Sequence, residues 1–179
     1  MTTAVRIPLV ATGSQAVAAA PAPSPSTATP PAARAMPSSR PVRLEIPRLG
    51  VRTGLLTLGR GADGSPRTPP VSRPDRAGWY RYGAAPGSAG SAVIAGHADS
   101  AAGPAVFARL GELRPGDEVV VLRRDGREAV FAVERVERVS GDRFPVRRVY
   151  GKVSYPGIRL VAHGGAGDVI AYGRLVRST

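Results

Sequence analysis

The sequence contains no cysteine in its 179 residues. This absence excludes a disulfide framework, a structural zinc site built on thiolates and catalysis by a thiol. Long apolar runs are also missing, because Pro8 interrupts the apolar residues near the start of the chain and the polar residues 12–15 follow. A spanning helix needs roughly 20 apolar residues, and the core of a signal peptide needs about 7 to 15. A membrane tether is therefore not evident in this chain.

Acidic residues, lysine and aromatic side chains are all scarce. The chain has 25 basic and 13 acidic residues, which gives a net charge of +12, and Lys152 is its single lysine. Nucleic-acid binders concentrate their basic residues and interleave aromatics for stacking, whereas here the arginines are scattered and aromatics make up 5%. We therefore expect no nucleic-acid partner. The charge fits either weak attraction to an anionic envelope polymer or, as we favour, an arginine-rich solvated surface.

The first 40 residues differ in composition from the rest. Alanine and proline dominate residues 16–35, and residues 1–40 contain no acidic residue and only the arginines Arg6, Arg34 and Arg40. Such a segment cannot bury enough apolar surface to build a core. We predict that residues 1–40 form a disordered Pro/Ala-rich tail or spacer. Residues 41–179 have the length and composition of one folded domain.

From residue 42 onward, short apolar runs alternate with turn residues. Residues 42–46 alternate with period two and Pro47 ends the run, which predicts a half-buried strand. Asp125-Gly126 between two apolar runs predicts a hairpin. The one predicted helix covers residues 104–113, where apolar residues share a face. Further strands are predicted at residues 55–58, 92–95, 117–123, 128–136, 158–162 and 169–172. The pattern predicts a mainly β fold that forms a closed or nearly closed barrel.

A glycine pattern at residues 59–64 matches the G-x-G-x-x-G fingerprint of dinucleotide-binding proteins. That fingerprint requires a helix directly after it, because the helix N-terminus holds the pyrophosphate. The prolines of residues 65–70 exclude a helix there. We interpret the pattern as a glycine-rich turn and predict no cofactor.

The chain has only two histidines, His97 and His163. His97 ends an apolar run and precedes small and polar residues, so we expect it at the rim of the barrel. A histidine there can move protons near neutral pH, although an ordinary hydrogen-bonded histidine is the alternative. With Asp99, the two histidines also have the ligand types of a metal site. The spacing fixes no tetrahedral geometry, so we predict no metal site.

The segment Gly96-His97-Ala98-Asp99-Ser100 resembles the histidine motif of sortases, in particular the class F sortases of actinobacteria. Further segments that resemble class F sequences follow in the expected order, at residues 42–47, 75–80, 103–107, 110–117 and 148–151. The resemblance implies an eight-stranded β-barrel located at the cell surface or membrane. It also implies a cysteine transpeptidase, which cleaves LPXTG-type sorting signals of surface proteins and transfers the acyl group to a cell-wall amine.

By the same resemblance, His97 corresponds to the acid–base histidine of the family. His163 occupies the position of the family's cysteine, and the shortened loop 166–168 has no arginine where the family has one. Asp99, Arg159 and Arg174 are the remaining candidate binding residues. We therefore predict a sortase-like pseudoenzyme that is impaired or inactive in transpeptidation. The alternative is a non-catalytic surface module that binds sorting-signal peptide or anionic wall polymer.

Overall fold

Ten β-strands and one α-helix make up the regular structure of residues 33–179, which are the residues that this computed structural model describes. The strands are β1 (Pro41–Ile46), β2 (Val51–Leu58), β3 (Ala77–Tyr80), β4 (Gly90–His97), β5 (Asp99–Ser100), β6 (Gly103–Pro104), β7 (Glu118–Arg123), β8 (Glu128–Val139), β9 (Pro156–His163) and β10 (Asp168–Ser178). The helix α1 (Val146–Tyr150) lies between β8 and β9. Single 3-10 turns cover Pro47–Leu49, Leu110–Glu112 and Gly141–Arg143.

Eight of these strands close into a barrel in the order β1-β2-β3-β4-β9-β10-β8-β7, with β7 paired to β1. Two neighbouring pairs are parallel, β2 with β3 and β4 with β9, and the other pairs in the barrel are antiparallel. The short strands β5 and β6 form a separate two-stranded sheet. The prediction of a mainly β fold with a closed eight-stranded barrel and one short helix is confirmed.

Every second residue of a strand points into the barrel, and in this chain those residues are mainly apolar. Leu44, Ile94, Phe131, Leu160 and Leu175 have no exposed surface. Complete burial of a side chain of this size stabilises the fold by about 1.5–3 kcal/mol relative to exposure. The alternation that predicts the strands therefore also supplies the core.

One predicted turn is present and one barrel strand has no sequence signal. Asp125-Gly126 joins β7 to β8, and Gly126 has a φ of +80°, a conformation that glycine adopts without strain. By contrast, all four residues of β3 are buried, so the strand shows no alternation of apolar and polar residues. Its pairing with β2 and β4 holds it in place.

The prediction of a helix over residues 104–113 is wrong. This segment leaves β6 and continues as tight turns, in which N–H groups donate to the carbonyl three residues earlier, as from Leu110 to Phe107 at 3.0 Å. Such bonds give 3-10 geometry, and Gly111 lowers helix propensity further. The apolar side chains Phe107, Leu110 and Leu113 are buried nevertheless. The α-helix within residues 33–179 is α1, whose five residues are too few to show a helical period.

Residues 33–40 lie against the barrel. Met36 is 6% exposed and belongs to the core cluster. The buried guanidinium of Arg123 donates hydrogen bonds to the Met36 sulfur and to the backbone oxygen of Pro37. Packing therefore begins before residue 41, where the sequence predicts the domain to start. The rest of the predicted tail, residues 1–32, lies outside the described residues. Within residues 33–179, no helix is long and apolar enough to cross a membrane.

Candidate active site

Three neighbouring strands bring the candidate residues to one end of the barrel. β4 and β9 run parallel, and their register pairs His97 with His163. β10 runs antiparallel to β9, so Asp168 at its start lies across from His163 at the end of β9. Leu160 points into the core, and side chains alternate along a strand. His97, His163 and Asp168 therefore all lie on the outer face of the barrel.

His163 forms a hydrogen-bonded pair with Asp168. The imidazole Nδ1 lies 3.0 Å from the carboxylate Oδ1, and the two side chains are 27% and 14% exposed. A carboxylate only accepts hydrogen bonds, so Nδ1 carries the hydrogen and the Nε2 of the neutral ring holds a lone pair. The ring of Phe144 stacks on the imidazole, with 6.3 Å between ring centroids. This arrangement orients His163 as a base or nucleophile at Nε2.

His97 is held in the opposite way. Its Nε2 lies 2.7 Å from the backbone oxygen of Pro69, which belongs to the connection between β2 and β3. A carbonyl accepts and never donates, so Nε2 carries the hydrogen and Nδ1 of the neutral ring is left as the proton acceptor. The backbone around it is also fixed, because the Ala98 N–H donates to the His163 oxygen at 2.8 Å. The two histidines therefore expose different nitrogens.

Asp99 joins two loops at this end and does not orient either histidine. Its Oδ2 accepts a hydrogen bond from the Gly165 N–H at 3.0 Å. A cleft of about 330 Å³ opens beside this contact, lined by Asp99, Phe107, Arg138, Gly164 and Asp168 among others. The described residues contain no group of three or more His, Cys, Asp or Glu side chains that could hold a metal ion.

Arg159 and Arg174 lie on the same outer face, but the structure does not bring them to the histidines. Arg159 is 3% exposed and donates to the Ile158 oxygen at 2.9 Å and to the Tyr155 hydroxyl at 3.2 Å. Four residues of strand separate it from His163, which is roughly 13 Å at 3.3 Å per residue. Arg174 lies further along β10 and binds Glu134 at 3.0 Å. Neither guanidinium contacts the His163–Asp168 pair.

The connection between β8 and β9 covers the middle of the outer face. Phe144 and Val149 pack with Val161 of β9 in an apolar cluster separate from the barrel core. Tyr150 meets Tyr80 edge to face, with 5.5 Å between ring centroids. Burial raises the pKa of Tyr150 to about 12. The accessible part of this face is therefore its end, at the two histidines.

Sequence reasoning missed two residues of the site, Asp168 and Phe144. Asp168 is visible in hindsight from strand geometry, since a four-residue loop after His163 places the first residue of β10 opposite it. Phe144 has no such signal, because it reaches His163 across an irregular connection. The assembled site contains two imidazoles, one of them paired with a carboxylate, and neither imidazole forms a hydrogen bond or ion pair with an arginine among residues 33–179.

The sequence and the fold of the chain are both similar to those of one protein family. The sortase domain profile matches residues 44–176. The fold is similar to that of sortase C1 from Streptococcus agalactiae, with 17% identity, 76% of this chain and 67% of that chain covered, and a TM-score of 0.60. A sortase E mutant from Streptomyces avermitilis is similar as well, with 21% identity, coverage of 80% and 93%, and a TM-score of 0.59. No curated protein matches the chain in sequence. Because the profile covers most of the chain, this protein belongs to the sortase family.

Proposed function

We propose that this chain is a class F-like sortase relative that binds LPXTG-type sorting-signal peptide at the cell surface but does not catalyse cysteine transpeptidation. The observation that carries the proposal is the His163–Asp168 pair, with 3.0 Å between Nδ1 and Oδ1, at the position where the resemblance expects a cysteine. The class F assignment is supported by the ordered sequence segments. His97 is proposed as the acid–base residue that the chain retains, and the predicted spacer is limited to residues 1–32 because Met36 packs in the core.

The chemistry of the pair supports loss of transpeptidation. Transfer to an amine needs an acyl-enzyme that survives until the amine arrives, and a thioester on cysteine meets this need. An acyl group on the imidazole of His163 is hydrolysed readily. The family's arginine stabilises developing negative charge, whereas Asp168 places a carboxylate beside His163. The chain therefore lacks both the nucleophile and the arginine that the resemblance implies.

A ligation assay tests the loss of activity. The purified chain is incubated with an LPXTG peptide and an amine acceptor, and product is measured by mass spectrometry. We expect no ligated product above buffer, for the native chain and for His97→Ala alike. Product from the native chain that disappears in His163→Ala would show that the site is catalytic and the proposal wrong.

Peptide binding needs its own measurement, because an inactive chain that binds nothing gives the same blank assay. Calorimetric titration with the LPXTG peptide should show saturable heat, and a scrambled peptide should not. The variant His163→Cys/Asp168→Arg places a cysteine where the resemblance expects one and an arginine in the loop 166–168, where the family's arginine is missing. Product from this variant supports a retained peptide site, whereas a flat titration removes the binding part of the proposal.

The proposed location is extracytoplasmic. It is supported by membership of the family and by the resemblance to class F. Fractionation of the producing cells with an antibody against the chain tests it, and finding the protein only in the cytoplasmic fraction contradicts it.

A further inference from the structure

A second cleft lies between the end of β2 and the connection that follows it, and its lining residues Thr68 and Pro70 flank Pro69, the partner of His97. Its volume is about 600 Å³. Three arginines line it, Arg60, Arg67 and Arg81, together with Tyr82 and the last residues of β2. None of these residues lines the cleft beside Asp99. The cleft is therefore distinct from the one beside Asp99, and the proposed function uses none of its side chains.

Tyrosine side chains hold two of the three guanidinium groups in place. Arg60 donates from Nε to the Tyr80 hydroxyl at 2.7 Å, and its Cζ lies 4.6 Å from the centroid of the Tyr82 ring. Arg81 lies 4.9 Å from the same centroid and donates to the Tyr82 hydroxyl at 2.8 Å. Ordering two long side chains in advance lowers the entropy that a ligand loses on binding. The terminal nitrogens of Arg60 have no hydrogen-bond partner among the described residues and remain available.

The positive charge of the cleft is not neutralised. Among residues 33–179, no acidic residue lines the cleft, and none lies within 4.0 Å of Arg60, Arg67 or Arg81. The nearby Asp63 is hydrogen-bonded to the hydroxyl and N–H of Ser65. Three like charges around one cleft repel one another, and a bound anion removes that repulsion.

We propose that this cleft binds a phosphate-bearing polymer of the polyol phosphate type. Guanidinium groups match the oxygens of a phosphate with paired N–H donors, and several cations suit a chain that carries a charge at each repeat. A single carboxylate has one charge and is small for a cleft of about 600 Å³. Nucleic acid fits less well, because Tyr82 is the single aromatic residue lining the cleft and base stacking needs several.

Titration of the full chain with two probes tests the site. The probes are inorganic pyrophosphate and a synthetic glycerol phosphate oligomer, followed by calorimetry and by amide chemical shifts. We expect saturable binding of both, tighter for the oligomer and weaker as salt is added. Shifts should concentrate in residues 56–60 and 67–82. Absence of saturable binding of both probes at low salt overturns the proposal.

Matched variants distinguish binding at this cleft from attraction to the overall positive charge of the chain. Arg60→Gln/Arg81→Gln should weaken oligomer binding at least tenfold. The control Arg124→Gln/Arg127→Gln removes the same charge at the β7–β8 turn, where both side chains are exposed and neither has a carboxylate partner in the described chain. It should change affinity less than twofold. Equal losses in both double variants would show non-specific attraction and overturn the site.

Two further arms address the ligand and the aromatic residue. Tyr82→Ala leaves the net charge unchanged but removes the ring that holds both guanidiniums, so oligomer binding should weaken about fivefold or more. Unchanged binding contradicts the role given to Tyr82. A single-stranded oligonucleotide of equal charge should bind more weakly than the oligomer, and tighter binding would replace the proposal with nucleic-acid recognition. Thermal melting of each variant verifies that it is folded.

Discussion

The two faces of β4, β9 and β10 follow different rules. On the inner face, Ile94 and Leu160 pack in a core where they have no exposed surface. On the outer face, the same strands carry His97 and His163 at one end and a buried arginine, Arg159, further along. Positions on the inner face need apolar side chains that fill the core, whereas the end of the outer face carries the polar side chains of the candidate site. A substitution at the end of the outer face should therefore leave the barrel intact.

The largest effect is expected on the inner face. Leu160→Ala removes a fully buried side chain and should lower the free energy of unfolding by about 2–5 kcal/mol. Urea denaturation measures it. His163→Ala, three residues further along the same strand, is the outer-face control and should cost about 1 kcal/mol or less. Equal losses would mean that the two faces do not differ as described.

Two variants of Arg159 distinguish the contribution of packing to stability from the contribution of charge on the outer face. Arg159→Ala leaves a cavity and the Tyr155 hydroxyl without its donor, so we expect a loss of about 2–3 kcal/mol. Arg159→Met keeps most of the apolar stem without the buried charge and should lie within about 1 kcal/mol of the native chain. If chemical denaturation shows that the two variants lose the same stability, the charge rather than the packing supports this face.

Alkaline pH should destabilise the packing of the β8–β9 connection against the outer face. The pKa of Tyr150 is raised from its ordinary value of 10.0 to about 12, chiefly by burial. Between these values the unfolded chain has lost the phenolic proton and the folded chain retains it, so stability falls as pH rises. We expect a decline of about 1–2 kcal/mol, reduced because the ring is partly exposed. Tyr150→Phe should reduce the decline in denaturation midpoints over this range, and the remainder is expected from Tyr172, whose pKa burial also raises.

Removal of the exposed phenol in Tyr82→Phe is the matched control for that measurement. Tyr82→Phe should leave the alkaline loss of stability unchanged, since Tyr82 is 52% exposed and does not belong to the apolar cluster on the outer face. A decline that persists unchanged in Tyr150→Phe would show that another group dominates the alkaline response.

The smallest effect distinguishes the two histidines themselves. Nitrogen NMR, recorded at a pH where both imidazole rings are neutral, should show His163 with its hydrogen on Nδ1 and His97 with its hydrogen on Nε2. Asp168→Ala removes the acceptor of His163, so its two tautomers should mix while the spectrum of His97 stays the same. The cost in stability should be about 1 kcal/mol or less, because the pair is partly exposed. Identical tautomers in the native chain would contradict the geometry.

Sequence patterns predict the inner face of this barrel better than its outer face. Short apolar runs between turn residues locate seven of the eight barrel strands in approximate bounds, because inward positions need apolar side chains whatever their neighbours. β3 escapes because it has only four residues and Gly78 interrupts them, so no continuous apolar run marks the strand. The helix is misplaced because tertiary packing rather than local periodicity orders both α1 and residues 104–113. Asp168 and Phe144 escape because contacts across strands and connections place them.

The four-residue turn between β9 and β10 restricts how this site can be rebuilt. Gly167 adopts a φ of +113°, and a side chain there would approach the Val139 oxygen to 2.7 Å. Insertion therefore has to open the turn, whereas substitution is confined to residues such as Asp168 that already face outward. Length and identity are therefore separate changes at this end of the barrel: an insertion alters the path of the backbone, whereas a substitution at residue 168 alters the charge beside His163. The turn thus allows residue 168 to vary in charge more easily than the loop can vary in length.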